Sequence, residues 1–179
     1  SLERQRLSTG AQHNKIYGLD NNESGVFDIT ESLKDRWVKG RVGDIRDYKT
    51  VRDVFEDFKP QVVINAAAYK HVGLMEYTPL EAIQTNVIGH YNVVHIAKTW
   101  ECVEKFVFIS SDKSVNSNSI MGISKRMGEV ITCNQGKGYL AVRFGNVMGS
   151  RGSLTTIFQR QYDNKEPFTV TDERMERYF

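Results

Sequence analysis

Phe106-Val107-Phe108-Ile109, followed at once by Ser110-Ser111-Asp112-Lys113, decides the fold of this chain of 179 residues. A short, continuous run of aromatic and β-branched residues suits a strand buried on both faces of a parallel sheet. In such sheets ligands sit beyond the carboxyl ends of the strands, so Ser111, Asp112 and Lys113 face a crevice. Further on, in Met121-Gly122-Ile123-Ser124-Lys125, Met121 and Lys125 are four apart and share one face of the next helix. A carboxyl, two amines and several hydroxyls thus crowd one strand end, which reads as an active site.

Outward from that stretch the pattern alternates short strands with helices. The expected strands are Lys15–Leu19, Val38–Val42, Val62–Asn65, Phe106–Ile109 and Tyr139–Arg143. The expected helices lie around Asn22–Arg36, Tyr48–Phe58, Pro79–Thr99, Ile120–Asn134 and Leu154–Tyr162. In the third, Thr78 can cap and Pro79 suits the first helical position. Repeated alternation implies an α/β fold, a Rossmann-like doubly wound parallel sheet with helices on both faces. A dinucleotide-binding version opens with a strand and a Gly-rich turn that brings backbone amides to a pyrophosphate. Neither is legible before Lys15, where Gly10 stands alone in Ser8-Thr9-Gly10-Ala11. That first strand is central in the order 3-2-1-4-5-6, so its loss separates Lys15–Leu19 from the rest of the sheet. The expectation is therefore a single incomplete domain over residues 1–179, a truncated fragment with most of a substrate subdomain absent beyond 151–179.

Composition sets the outer bounds. With 40% hydrophobic and 26% charged residues the chain can build one core, and a net charge of +2 with both signs interspersed gives no broad footprint for nucleic acid or an anionic membrane. Cys102 and Cys133 have neither metal-ligand nor Cys-x-x-Cys spacing, so no metal is expected, and reduced thiols fit a cytoplasmic chain. No apolar run approaches the roughly 20 residues of a membrane span, and Ser1-Leu2-Glu3-Arg4-Gln5-Arg6 is no signal peptide.

Four blocks carry a family likeness: Gly43-Asp44-Ile45-Arg46-Asp47, Asn65-Ala66-Ala67-Ala68-Tyr69-Lys70-His71-Val72, the Ser110–Lys125 region, and Arg143-Phe144-Gly145-Asn146-Val147-Met148-Gly149-Ser150-Arg151-Gly152-Ser153. From about Lys15 onward the chain resembles the nucleotide-sugar branch of the extended short-chain dehydrogenase/reductases. Its closest likeness is to the bacterial UDP-N-acetylglucosamine 4,6-dehydratases of polysaccharide biosynthesis, with Met121 where the Ser, Tyr-x-x-x-Lys signature has tyrosine. Members with larger, membrane-anchored architectures look like this at the tyrosine position, so the parent protein could be anchored through a part absent here.

The resemblance implies a nucleotide-sugar dehydratase. Carbon 4 of the sugar is oxidised, the proton on carbon 5 becomes acidic, water leaves across carbons 5 and 6, and carbon 6 is reduced. Lys113 is then the base, which requires a neutral amine, and Asp112 the acid, which requires a proton held by burial. The bland alternative for the pair is a surface Asp-Lys turn. Ser111 holds a substrate hydroxyl and Lys125 the nicotinamide ribose. Met121 packs against sugar or nicotinamide, or is an ordinary core methionine.

Asp20 accepts from the adenosine ribose, which favours NAD over NADP, unless it belongs to a helix cap with Asn21 and Asn22. Asp44 and Ile45 meet adenine, and Asn65, Ala66 and Ala67 let the backbone approach the cofactor. The resemblance further implies that Lys70 faces sugar or diphosphate unless it is a solvated loop lysine, that Asn86 supports the site, that Asn146 and Arg151 bind the nucleotide diphosphate, and that Arg174 reaches substrate. The implied partners are a UDP-sugar and, through helices, a second copy of the chain. Two other readings stand beside this one: a UDP-sugar 4-epimerase, which never eliminates water, and a non-catalytic nucleotide-sugar-binding module.

Overall fold

The computed structural model describes residues 15–33, 37–147, 154–170 and 172–174. Strand β1 (Ile16–Asp20) leads through helix α1 (Glu23–Leu33) to β2 (Val38–Val42), and α2 (Tyr48–Phe58) leads to β3 (Val62–Asn65). A longer crossover comes next, made of α3 (Val72–Tyr77), α4 (Pro79–Ala82), a π-helical turn (Ile83–Gly89) and α5 (His90–Thr99). Then come β4 (Lys105–Ser111), a 3₁₀ turn (Asp112–Ser114), α6 (Ile120–Cys133), β5 (Tyr139–Phe144) and α7 (Leu154–Asp163).

Every strand pair is parallel, as the alternation predicts, with Gly18 opposite Gly40, Ile64 opposite Val107 and Phe108 opposite Ala141. The strands fall into two sheets, β1-β2 and β3-β4-β5. Set against the order 3-2-1-4-5-6, the five strands occupy every place but the central one. Among the described residues no strand stands between β1 and β3. The apolar side chains along those two edges stay open, Ile16 at 60%, Val62 at 53% and Ile64 at 65% exposure.

Helix packing joins the two half-sheets instead. Asp47 caps α2 by accepting from the Lys49 amide at 3.0 Å, and α2 buries Val51, Val54 and Phe55. Val51 and Phe55 meet Val93, Val94, Ile96 and Ala97 of α5 and Phe106 and Phe108 of β4 in one core that also takes in Ile45. Asn92 of α5 donates to the carbonyls of Ile45 and Arg46 at 3.0 and 3.1 Å, so the loop after β2 is tied to the β3-β4-β5 half. On the same face of β4, α6 comes so near that a Cβ on Gly128 would lie 2.6 Å from the Phe108 ring.

Two local features differ from the expected pattern. The helix expected over Pro79–Thr99 spans those residues but widens into a π-helical turn at Ile83–Gly89. There Asn86 is drawn inward to brace Tyr69, and Ile45 presses on Gly89, where a Cβ would lie 2.8 Å away. Thr78 supplies no side-chain cap and donates to Leu74 O at 2.9 Å instead, while Pro79 does occupy the first turn. No helix among the described residues is long and apolar enough to cross a membrane.

Candidate active site

The carboxyl ends of β1, β2 and β3 enclose a cleft of about 200 Å³, lined by Asp20, Asp44, Ile45, Ala66, Ala67 and Thr85 among others. Asp20 closes β1 and accepts from the Asn22 amide at 2.9 Å, so the helix-cap role and a cleft position coexist. Asp44 is oriented by Arg46, which donates from its backbone N–H to Oδ1 and from Nε to Oδ2, both at 2.8 Å. Those hydrogen bonds hold the Asp44 carboxyl below its usual pKa, against the opposing pull of burial. Arg46 also reaches Glu81 on α4 at 3.1 Å, which fixes the wall of the cleft to the crossover.

Beneath the cleft Asn65 is buried and organises the turn after β3. Its Oδ1 accepts from the Ala67 amide at 3.1 Å, which leaves Nδ2 to donate to His90 Nδ1 at 2.8 Å. His90 is therefore the tautomer with the proton on Nε2, which faces Thr132 Oγ1 at 2.9 Å and Gly128 O at 3.1 Å. Burial pushes its pKa down to about 4, so the ring is neutral.

Asn86 acts in the same way on the next residues. It accepts from Tyr69 N at 2.8 Å and donates to Tyr69 O at 3.0 Å and to Ser124 Oγ at 2.9 Å. All its bonds go to protein, so it shapes the wall rather than facing a ligand. Thr85, its neighbour, is the residue that sequence reasoning missed. Its hydroxyl is buried at the cleft with no hydrogen-bond partner. A buried unpaired hydroxyl is unfavourable unless something completes it. Only the π-helical turn turns Thr85 and Asn86 to their separate tasks, and periodicity carries no signal for it.

The second group of expected residues gathers at the end of β4. Ser111 Oγ and Lys113 Nζ both donate to Asp112 Oδ1, at 2.9 and 3.0 Å. Burial raises the Asp112 pKa, but the bonds from Lys113 and Ser111 outweigh it, and the net shift is downward. Asp112 is thus held as a carboxylate against the Lys113 side chain, and both are part-exposed. The elimination that the resemblance implies needs a proton on Asp112 and none to spare on Lys113, and the 3.0 Å bond between them is a path for that transfer.

Lys125 is buried and donates to Ile109 O at 2.7 Å, with its ammonium 4.8 Å from the centre of the Phe108 ring. Desolvation pushes its pKa down to about 8. Met121, one turn earlier, is 1% exposed and packs with Met75 and Ala82, the contacts of a core methionine. Lys70 is exposed on the loop after Tyr69, and Asn146 is half-buried two residues beyond β5. Arg174 is exposed and paired with Asp172 at 2.9 Å. Arg151 lies outside the described residues. The structure therefore brings Asp20, Asp44, Ile45, Ala66 and Ala67 into one cleft and Ser111, Asp112 and Lys113 into one turn, and it places Met121 and Arg174 in neither. Among the described residues no cluster of His, Cys, Asp and Glu could hold a metal ion.

With that geometry in place, the likeness to known proteins is informative. A family model described as "Polysaccharide biosynthesis protein" matches residues 2–179. The capsular polysaccharide biosynthesis protein CapD of Staphylococcus aureus is 41% identical over 175 residues, which are 92% of this chain and 29% of that protein. A UDP-glucose 4-epimerase of Rickettsia akari is 36% identical over 171 residues, 92% of this chain and 49% of the epimerase. The chain thus spans half the length, or less, of these curated relatives. Among solved structures, Pen from Bacillus thuringiensis superposes with a TM-score of 0.86 at 33% identity, covering 98% of this chain and 58% of Pen. WbmH of Bordetella bronchiseptica, solved in complex with NAD+, gives 0.68 at 27% identity over 91% of this chain and 58% of WbmH.

Proposed function

Because this chain belongs to the polysaccharide biosynthesis protein family, within the nucleotide-sugar epimerases and dehydratases of the extended short-chain dehydrogenase/reductases, we propose that it uses NAD to oxidise carbon 4 of a UDP-sugar transiently. The observation that carries this reading is the cleft at the ends of β1, β2 and β3. Two carboxylates there accept hydrogen bonds, the unpartnered Thr85 hydroxyl awaits a partner, and the small residues Ala66 and Ala67 admit a ligand close to the backbone. That donor and acceptor set fits an adenosine, with Asp20 on the ribose hydroxyls and Asp44 on the adenine amine. Asp20 disfavours an added phosphate at the ribose, which selects NAD over NADP. A relative solved with NAD+ supports the same choice. Bound there, the nicotinamide supplies reversible two-electron oxidation of carbon 4.

The chain's own residues handle the protons. Met121 can neither take nor give one, so the proton of the carbon-4 hydroxyl passes to the Asp112 carboxylate, beside which Ser111 orients the hydroxyl. Lys125, buried and without a carboxylate partner, holds a ribose in register and contributes positive charge. Lys70, Asn146, Arg151 and Arg174 are assigned to the sugar and diphosphate.

The fate of the oxidised sugar divides two readings. Return of hydride to the opposite face gives 4-epimerisation, which needs only the single proton shuttle that the Asp112–Lys113 pair holds. The relatives named as UDP-glucose 4-epimerases, at 33–36% identity, favour this outcome. Elimination of water is the second reading, favoured by the Asp112-Lys113 and Met121-to-Lys125 pattern. It asks more of the site, with Lys113 neutral to take the carbon-5 proton and Asp112 protonated to expel the carbon-6 hydroxyl. Incubation with NAD and UDP-N-acetylglucosamine or UDP-glucose, then mass spectrometry and NMR, separates them. A mass-neutral isomer supports epimerisation, and loss of water with a 4-keto-6-deoxy product supports dehydration. Cofactor and sugar bound but unchanged would leave a binding module.

A further inference from the structure

Glu129 lies one helical turn beyond Lys125 on α6, is 4% exposed, and has no part in the chemistry described above. Its carboxylate collects donors from four residues. Oε1 accepts from Ser110 Oγ, Ser114 Oγ and Arg143 Nε, each at 2.7 Å. Oε2 accepts from Arg143 Nη2 at 2.7 Å and Arg126 Nη1 at 2.8 Å.

Those donors come from two separate parts of the site. Ser110 and Ser114 bracket Ser111, Asp112 and Lys113, while Arg143 is the last residue but one of β5 and lies three before Asn146. We infer that Glu129 is a positioning residue, which locks the Ser111–Lys113 turn to the end of β5 so that the proton-carrying pair and Asn146, just beyond β5, face one substrate. This inference rests on the proposed oxidation of a nucleotide sugar.

Three physical arguments support it. A carboxylate is costly to bury, and a well-packed apolar residue would serve plain stability as well or better, so the role that suits this one is to fix geometry. The Arg143 guanidinium and the two serines hold its pKa far below the usual carboxylate range, so the charge persists at all working pH. Ser114 Oγ has one hydrogen and two acceptors at 2.7 Å, Glu129 Oε1 and Ser111 O, and the charged oxygen is the stronger acceptor. Without that charge Ser114 turns to Ser111 O, and the turn loses its tie to α6.

The test uses the full chain and Glu129→Gln, which keeps the volume and removes the charge. We expect kcat to fall about tenfold or more, with KM for NAD within about twofold, because the Asp20 and Asp44 cleft shares no contact with Glu129. Amide exchange at Lys113 and Val115, whose N–H groups bond Ser111 Oγ and Asp112 O, should quicken about tenfold. Ser114→Ala leaves both arginine pairs intact and should shift the same readouts less, which covers the case of a Glu129→Gln protein that does not fold.

Unchanged kcat overturns the inference. So does a loss of kcat matched by an equal rise in KM for NAD and by faster exchange throughout β4 and β5, which is simple destabilisation. Wild type without carbon-4 turnover would instead sink the proposed function. The clamp is then decided by exchange alone: faster at Lys113 and Val115 in the variant supports it, and unchanged exchange overturns it.

Discussion

At the scale of single residues the proposed cofactor cleft separates binding from stability. Thr85→Val replaces an unpaired buried hydroxyl with a methyl of the same shape. Unfolding should be harder by about 1 kcal/mol, while NAD binds about tenfold more weakly. Thermal melts and calorimetric titration check the two effects, and a variant both less stable and unchanged in NAD affinity would contradict this role. Asp20→Asn should weaken NAD about tenfold and narrow its advantage over NADP, read as the ratio of the two dissociation constants. His90 sets a pH limit. Its folded pKa of about 4 lies below the ordinary 6.5, so its contribution is complete above about pH 6.5 and lost as pH falls towards 4. The loss is at most about 3 kcal/mol. Urea titrations between pH 7 and 4 should show this decline, flattened in His90→Gln, and equal slopes in both proteins would refute it.

At the scale of elements α6 and β4 meet in close contact. Gly128→Ala would set its Cβ 2.6 Å from the Phe108 ring, which is itself packed against His90. A loss of about 1–3 kcal/mol is expected in denaturant unfolding, and a neutral result would show that the joint gives. Much of this level was legible in the sequence. Val38–Val42, Val62–Asn65 and Tyr48–Phe58 form where the local pattern puts them, because strand-like apolar runs and the cap at Asp47 are local signals. The π-helical turn was not legible, since Asn86 binding Tyr69 and Ile45 pressing on Gly89 are contacts between distant residues. The short helix Val72–Tyr77 carries too few turns for a period to show. The site divides likewise. Asp20, Asp44, Ala66 and Ala67 could be placed because each lies at or just beyond a strand end. The ionised state of Asp112 could not, because it depends on where Lys113 and Ser111 point.

At the scale of the molecule the described strands lie in two sheets, β1-β2 and β3-β4-β5. Among the described residues β1 and β3 each pair on one side only, whereas β4 pairs on both sides and buries Phe106 and Phe108. Amides of β1 and β3 should therefore exchange at least about a hundredfold faster than those of β4, and equal protection would mean that the gap is closed in solution. The cleft at the ends of β1, β2 and β3 joins the two halves, so ligand binding there should slow exchange in β1 and β3 together. The central claim is that this chain's site oxidises carbon 4 of a nucleotide sugar. The most direct measurement tracks a UDP-sugar carrying deuterium at carbon 4 through incubation with NAD, by NMR. The account predicts that the label leaves carbon 4 and is found either at carbon 4 with inverted configuration or at carbon 6 after loss of water. Sugar recovered with its label and configuration untouched, under conditions where NAD is bound, would contradict it.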